Sequence, residues 1–105
     1  MRLLTFATLL ILLANGPTLG QEVGDPEAGY ALASEICADC HSIESGDAIS
    51  PNLESPSFQS IANNPEMSRL ALTVFFQTPH PSMPNLIVTG DDARNLVAYV
   101  LSLKP

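Results

Sequence analysis

The residues with the most chemistry to offer are Cys37-Ala38-Asp39-Cys40-His41. Two thiols three positions apart, followed at once by a histidine, form the attachment signature of a covalently bound c-type haem. The chemistry explains the spacing. Each thiol adds to one porphyrin vinyl group, and both vinyls lie on the same edge of the macrocycle. A short helical turn between Cys37 and Cys40 lets both sulfurs reach, and His41 then falls under the iron as an axial ligand. The 105-residue chain has only these two cysteines.

Three other uses of the same residues fit less well. A redox dithiol of the thioredoxin type wants βαβ patterning around it, and none is visible. A structural zinc needs four ligands, and only His41 and the distant His80 are available to join the thiols. A local disulfide would leave His41 unexplained.

Thr78-Pro79-His80-Pro81-Ser82-Met83-Pro84-Asn85 is the second informative stretch. Its three prolines between 79 and 84 forbid regular helix and stiffen the backbone, which suits a side chain held against a metal. Met83 offers a soft thioether that favours reduced iron and raises the potential. His80 competes with it, since imidazole also binds iron well. From His41 to Met83 there is ample chain to pass round a haem edge to the opposite face.

The elements that must position these groups read as follows. Arg2, the apolar run Leu3–Ala14 and the small residues around Thr18-Leu19-Gly20 make 1–20 a secretory signal, cleaved near Gly20 or else after Gly16. The run is short for a membrane span, which takes about 20 apolar residues, although an uncleaved anchor is the alternative. Residues 21–105 then form one small domain, and a domain of that size buries little core and needs a staple. The hydrophobic fraction of 46% overstates its oiliness, because the signal supplies much of it.

Asp25-Pro26-Glu27 starts a helix, with an Asx cap, proline at the first helical position and an acid where the dipole favours it. Gly29 inside that helix costs about 1 kcal/mol relative to alanine, which calls for close approach by another element. Ser42 to Pro56 is a long loop whose Ile43, Ile49 and Leu53 are candidates to face the haem. Phe58 and Ile61 suggest a short helical turn. Asn64-Pro65-Glu66 repeats the helix-start pattern, and Met67, Leu70, Ala71, Val74 and Phe75 follow as a buried stripe widened by Leu72 and Phe76. Thr89-Gly90-Asp91-Asp92 reads as a capping box before a last helix carrying Ala93, Leu96, Val97, Val100 and Leu101. No segment alternates as a strand does, so the fold class is all-α.

Charge excludes some functions. Eleven acidic residues face four basic ones, for a net charge of −7, and loss of the signal removes Arg2. Such a domain is a poor match for nucleic acid, and it meets membrane only transiently or through partners. No paired carboxylates, nucleophile–base set or phosphate loop suggests a substrate site, so the chain does not read as an enzyme.

Three separated stretches together resemble the class I c-type cytochromes, the small single-haem bacterial kind. Cys37–His41 matches that family's haem motif without departure. Pro79-His80-x-x-Met83-Pro84-Asn85 is similar to its methionine loop, which implies Met83, and not His80, as sixth ligand. Ser50-Pro51-Asn52-Leu53 is similar to the segment whose proline carbonyl accepts a bond from the proximal imidazole, which implies that role for Pro51. Gly29 matches the small residue on the first helix that Leu96 and Tyr99 of the last helix cross. The resemblance implies a cytochrome c fold of three main helices plus loops around one haem c, with an apolar cavity bordered by Cys37, Cys40, His41 and Met83. It implies a periplasmic one-electron carrier with His41 and Met83 as iron ligands, passing electrons between redox partner proteins. The alternatives are an electron-entry subunit of a larger dehydrogenase or oxidase, or a haem protein that binds peroxide or a gas at an open sixth position. The acidic balance of this chain, not the resemblance, points to basic docking surfaces on those partners or to an apolar haem rim ringed by acids; the other reading is that the acidity serves solubility alone. Ala33 stands where mitochondrial relatives carry an aromatic, which implies a less densely filled helix crossing, and the absence of tryptophan leaves the haem propionates without assigned partners.

Overall fold

The computed structural model describes residues 23–79, 81–84 and 86–105. The segment read as an export signal, 1–20, and the competing ligand His80 lie outside the described residues. Among the described residues there are four helices: α1 Pro26–Ile36, α2 Phe58–Asn63, α3 Arg69–Gln77 and α4 Gly90–Ser102. The described residues contain no strand. None of these helices is long and apolar enough to cross a membrane.

Helix α1 begins as its sequence dictates. The Asp25 carboxylate accepts from the Glu27 amide at 2.9 Å, and Pro26 occupies the first helical position. Its centre is shaped by Gly29. A Cβ there would stand 2.0 Å from the Asn95 carbonyl oxygen and 2.8 Å from the Tyr99 Cβ, so only glycine allows α4 to cross so closely. Asn95 and Tyr99 make the nearest approach to Gly29, Tyr99 as expected, and Leu96 is fully buried in the core. Asn95 also ties the helices through its side chain, which accepts from the Asp25 amide at 2.8 Å. This α1–α4 pair is the largest helix interface.

The core lies on the inner face of that pair. Leu96, Val97 and Val100 of α4 are buried together with Ala33, Phe58, Ala62 and Leu72. Full burial of each large aliphatic side chain contributes about 1.5–3 kcal/mol. Helix α2 is short but well held. Ser57 caps it by accepting from the Ser60 amide at 3.1 Å, and Gln59 reaches from it to Leu103 O at 2.8 Å and to the Gly46 amide at 2.9 Å.

Two helix starts differ from the sequence expectation. Asn64-Pro65-Glu66 forms a turn, with the Asn64 side chain accepting from the Glu66 amide at 3.0 Å, and α3 starts only after Ser68, which accepts from the Ala71 amide at 3.1 Å. A second competent cap four residues on has won. The buried stripe changes with it: Leu72 is buried and Phe76 packs on the core, while Leu70 and Val74 are 73% and 51% exposed. The other difference is at α4, where the Thr89 side chain makes no capping bond and Gly90 has φ +66°. The first turn is held instead by an Arg94–Asp91 ion pair.

Candidate haem site

Helix α1 ends at Cys37, whose amide still bonds to Ala33 O at 2.9 Å. The chain then makes one more helical turn, with the His41 amide bonding to Cys37 O at 2.9 Å and the Cys40 amide to the same oxygen at 3.2 Å. Both sulfurs and the imidazole are therefore presented from a single turn anchored on α1, one member of the largest helix pair. This is the local geometry that the spacing of the motif requires.

The ring of His41 is oriented by the loop that follows. Its Nδ1 lies 2.7 Å from the carbonyl oxygen of Pro56. That bond makes Nδ1 the donor and leaves Nε2 free to bind a metal. Pro51 was the expected partner, and the correction has a structural cause. The Asn52 amide bonds to Cys40 O at 3.1 Å and the Phe58 amide to Ser42 O at 2.8 Å, so the loop folds back in a way that brings Pro56 under the imidazole. Ser50 is occupied elsewhere, its hydroxyl accepting from the Ser42 amide at 3.0 Å, and Pro51 remains exposed. Loop residues Ile49 and Leu53 are also turned outward, at 72% and 84% exposure, so only Ile43 of the three apolar candidates is buried.

Beyond His41 opens an apolar pocket with about 690 Å³ of free space, including its mouth. Cys37, Phe58, Leu72, Phe75, Phe76 and Met83 are among its walls, and its heteroatoms are the imidazole and the sulfurs of Cys37, Met67 and Met83. An adjoining cavity of about 910 Å³ is lined by Cys40, His41, Phe75 and the Pro81–Pro84 segment. His41, Pro56, Ile61, Phe75 and Met83 border both, so the two spaces form one cleft. Cys40 was expected on the same cavity as Cys37 and instead borders the adjoining part of this cleft. The methionine loop reaches the site after α3, and the return strand of chain is fastened where the Val88 amide bonds to Phe76 O at 3.1 Å.

The donor set fits a c-type haem. A cleft with an apolar inner part and a more polar outer part, an imidazole with one nitrogen already satisfied, a half-buried thioether and two thiols on one turn are what such a group needs. Burial pushes the Cys37 thiol up to about 11. A thiol held that far from thiolate is a poor exchange nucleophile, which argues against a redox dithiol. Among the described residues no three His, Cys, Asp or Glu side chains converge to hold a bare ion.

A covalent-haem turn, a proline-anchored imidazole and an apolar cleft on an all-α scaffold define a c-type cytochrome domain. The chain belongs to the cytochrome c family, whose model matches residues 26–104. It is 33% identical over 96 residues to cytochrome c-552 of Bradyrhizobium diazoefficiens, covering 91% of each chain. No solved structure matches it significantly. The protein is therefore a haem-based electron carrier, with haem c and its iron as cofactor and redox proteins as partners.

The sequence pointed to Cys37, Cys40, His41 and Met83, which all border the cleft, whereas Met67 was read only as packing and Glu54 and Ser55 were not read as lining it. Pro56 was missed. Its only signal was membership of the second of two Ser-Pro dipeptides, Ser50-Pro51 and Ser55-Pro56.

Proposed function

We propose that this chain is a periplasmic one-electron carrier in which Cys37 and Cys40 hold haem c by thioether bonds and His41 and Met83 ligate its iron. The observation that carries the reading is the His41–Pro56 bond, which occupies Nδ1 and leaves Nε2 free on a ring that borders the same cleft as Met83. The bound haem supplies a reversible Fe(II)/Fe(III) couple. The protein's residues hold the imidazole in one tautomer, keep a thioether within the cleft and exclude water with Phe58, Leu72 and Phe76. No substrate is transformed.

Residues 1–20 are the proposed export signal and 21–105 the mature domain. Docking is proposed to a partner with a basic rim. Exposed Asp39, Glu44, Asp47 and Glu54 surround the haem turn and its loop, and Ile49 and Leu53 offer apolar contacts among them. Expression in a host competent for haem attachment tests the whole reading. Haem should stay with the polypeptide on a denaturing gel, the protein should appear in the osmotic-shock fraction, and it should titrate as one electron. Added cyanide should leave the oxidised spectrum little changed, as a filled sixth position requires. Haem running free of the chain, or rapid cyanide binding, would refute it.

A further inference from the structure

The chain has two tyrosines and no tryptophan, and the two tyrosines touch. Tyr30 of α1 and Tyr99 of α4 meet edge to face with ring centroids 5.3 Å apart. Tyr99 lies 6.3 Å from Phe58, and Phe58 lies 5.7 Å from the His41 imidazole. All three separations fall within the range of aromatic contact. Four rings thus run unbroken from the surface, where Tyr30 is 40% exposed, to the histidine proposed as an iron ligand.

The tyrosines differ in what could take their proton. Tyr30 donates its hydroxyl hydrogen to Glu44 Oε1 at 2.7 Å. Tyr99 donates to the Ile43 carbonyl, which cannot hold a proton at neutral pH. A phenol that loses an electron becomes a strong acid and must release its proton. Tyr30 has a carboxylate already in place to receive it, whereas Tyr99 has none. The same contact pushes the resting Tyr30 phenol above its ordinary range, through the Glu44 bond first and its charge second. It is therefore a neutral phenol until it is oxidised.

We infer that Tyr30 is a redox-active site, coupled inward through Tyr99 and Phe58 to His41, with Glu44 as its proton acceptor. In the step, Tyr30 gives one electron to a one-electron oxidant stronger than a phenol. Its O–H bond breaks and the proton bonds to Glu44, leaving a neutral tyrosyl radical beside a protonated carboxyl group and the oxidant reduced by one electron. One electron returning along the rings restores both groups. Such a route carries a strongly oxidising equivalent to the surface, away from the ligands. Its inner end rests on the ligation proposed above, and its outer pair does not.

Flash-generated ruthenium(III) tris-bipyridine, formed with a cobalt(III) ammine quencher, can oxidise the reduced holoprotein, and electron paramagnetic resonance of frozen samples reads the radical. The wild type should give a neutral tyrosyl signal that falls at least fivefold in Tyr30→Phe and comparably in Glu44→Gln, which keeps a hydrogen-bond acceptor but no base. In Tyr99→Phe the radical should form as before and live about tenfold longer. An undiminished signal in Tyr30→Phe or in Glu44→Gln would overturn the site, and an unchanged lifetime in Tyr99→Phe would overturn the inward route. Visible spectra of the same samples report ligation independently. Absence of the methionine–ferric band from the oxidised wild type would refute the ligation, while the Tyr30 and Glu44 results would still decide the outer pair.

Discussion

Nδ1 of His41 is bonded to the carbonyl oxygen of Pro56 across 2.7 Å, so the ring that borders the cleft is oriented by a backbone group of the loop that follows it. A donor bond from Nδ1 makes Nε2 a stronger base, and a more basic axial ligand favours oxidised iron. We expect Pro56→Gly, which loosens that carbonyl, to raise the reduction potential. Pro51→Gly, at an exposed position, should leave it unchanged. Redox titration of the two variants checks this, and a shift in Pro51→Gly alone would restore the other proline to the role.

The α1–α4 crossing should tolerate no side chain at Gly29. Alanine gains about 1 kcal/mol of helix propensity, but its Cβ would meet backbone at 2.0 Å. Backbone cannot swing aside as a long side chain can. Overpacking of this kind costs about 1–3 kcal/mol, and we expect Gly29→Ala near the upper end. Chemical denaturation of the holoprotein measures it. A variant as stable as the wild type would mean the helices cross more loosely.

Both tyrosines should titrate above their ordinary value of 10.0, Tyr30 because of its bond to Glu44 and Tyr99 because of burial. An acid whose folded pKa is raised stabilises the fold fully below its unfolded pKa and loses that contribution as pH climbs through the folded value. Stability should therefore decline from about pH 10 upward. Ultraviolet difference titration of the wild type, Tyr30→Phe and Tyr99→Phe separates the two groups. A tyrosine ionising at or below 10.0 would contradict the contact assigned to it.

Net charge of −7 should govern encounter rates. Electron transfer with a cationic small-molecule oxidant should slow as salt rises, and with an anionic one it should quicken, because the screening length shrinks to about 8 Å at physiological ionic strength. Stopped-flow rates across a salt series test this. Salt-independent rates with both reagents would remove the basis for docking to a basic partner.

Much of the fold was legible because its determinants are local. The Asp25 cap and the turn from Cys37 to His41 follow from neighbouring residues, and Gly29 betrayed a close crossing through its local helix penalty, though its partner lies far along the chain. What was not legible depends on competition or on long-range closure. Asn64 and Ser68 are both good caps four positions apart, and choosing between them reassigns the buried face from Leu70 and Val74 to Leu72 and Phe76. Ser50-Pro51 and Ser55-Pro56 look alike in sequence, and only the bonds from Asn52 to Cys40 and from Phe58 to Ser42 decide which reaches His41. Gly24 was overlooked for the same reason, since a Cβ there would strike Arg94 O at 2.3 Å on a helix seventy residues away.

The central claim is the ligand pair, and the weak far-red band of a methionine–ferric bond reads it most directly. Three side chains contend for the sixth position: Met83, His80 and Met67, which shares the cleft with Met83. The oxidised wild type should show the band. Met83→Ala should lose it and lower the potential, whereas His80→Ala and Met67→Leu should keep it. Absence of the band from the oxidised wild type, as His80 ligation would give, or its loss in Met67→Leu with Met83→Ala unaffected, would contradict the account.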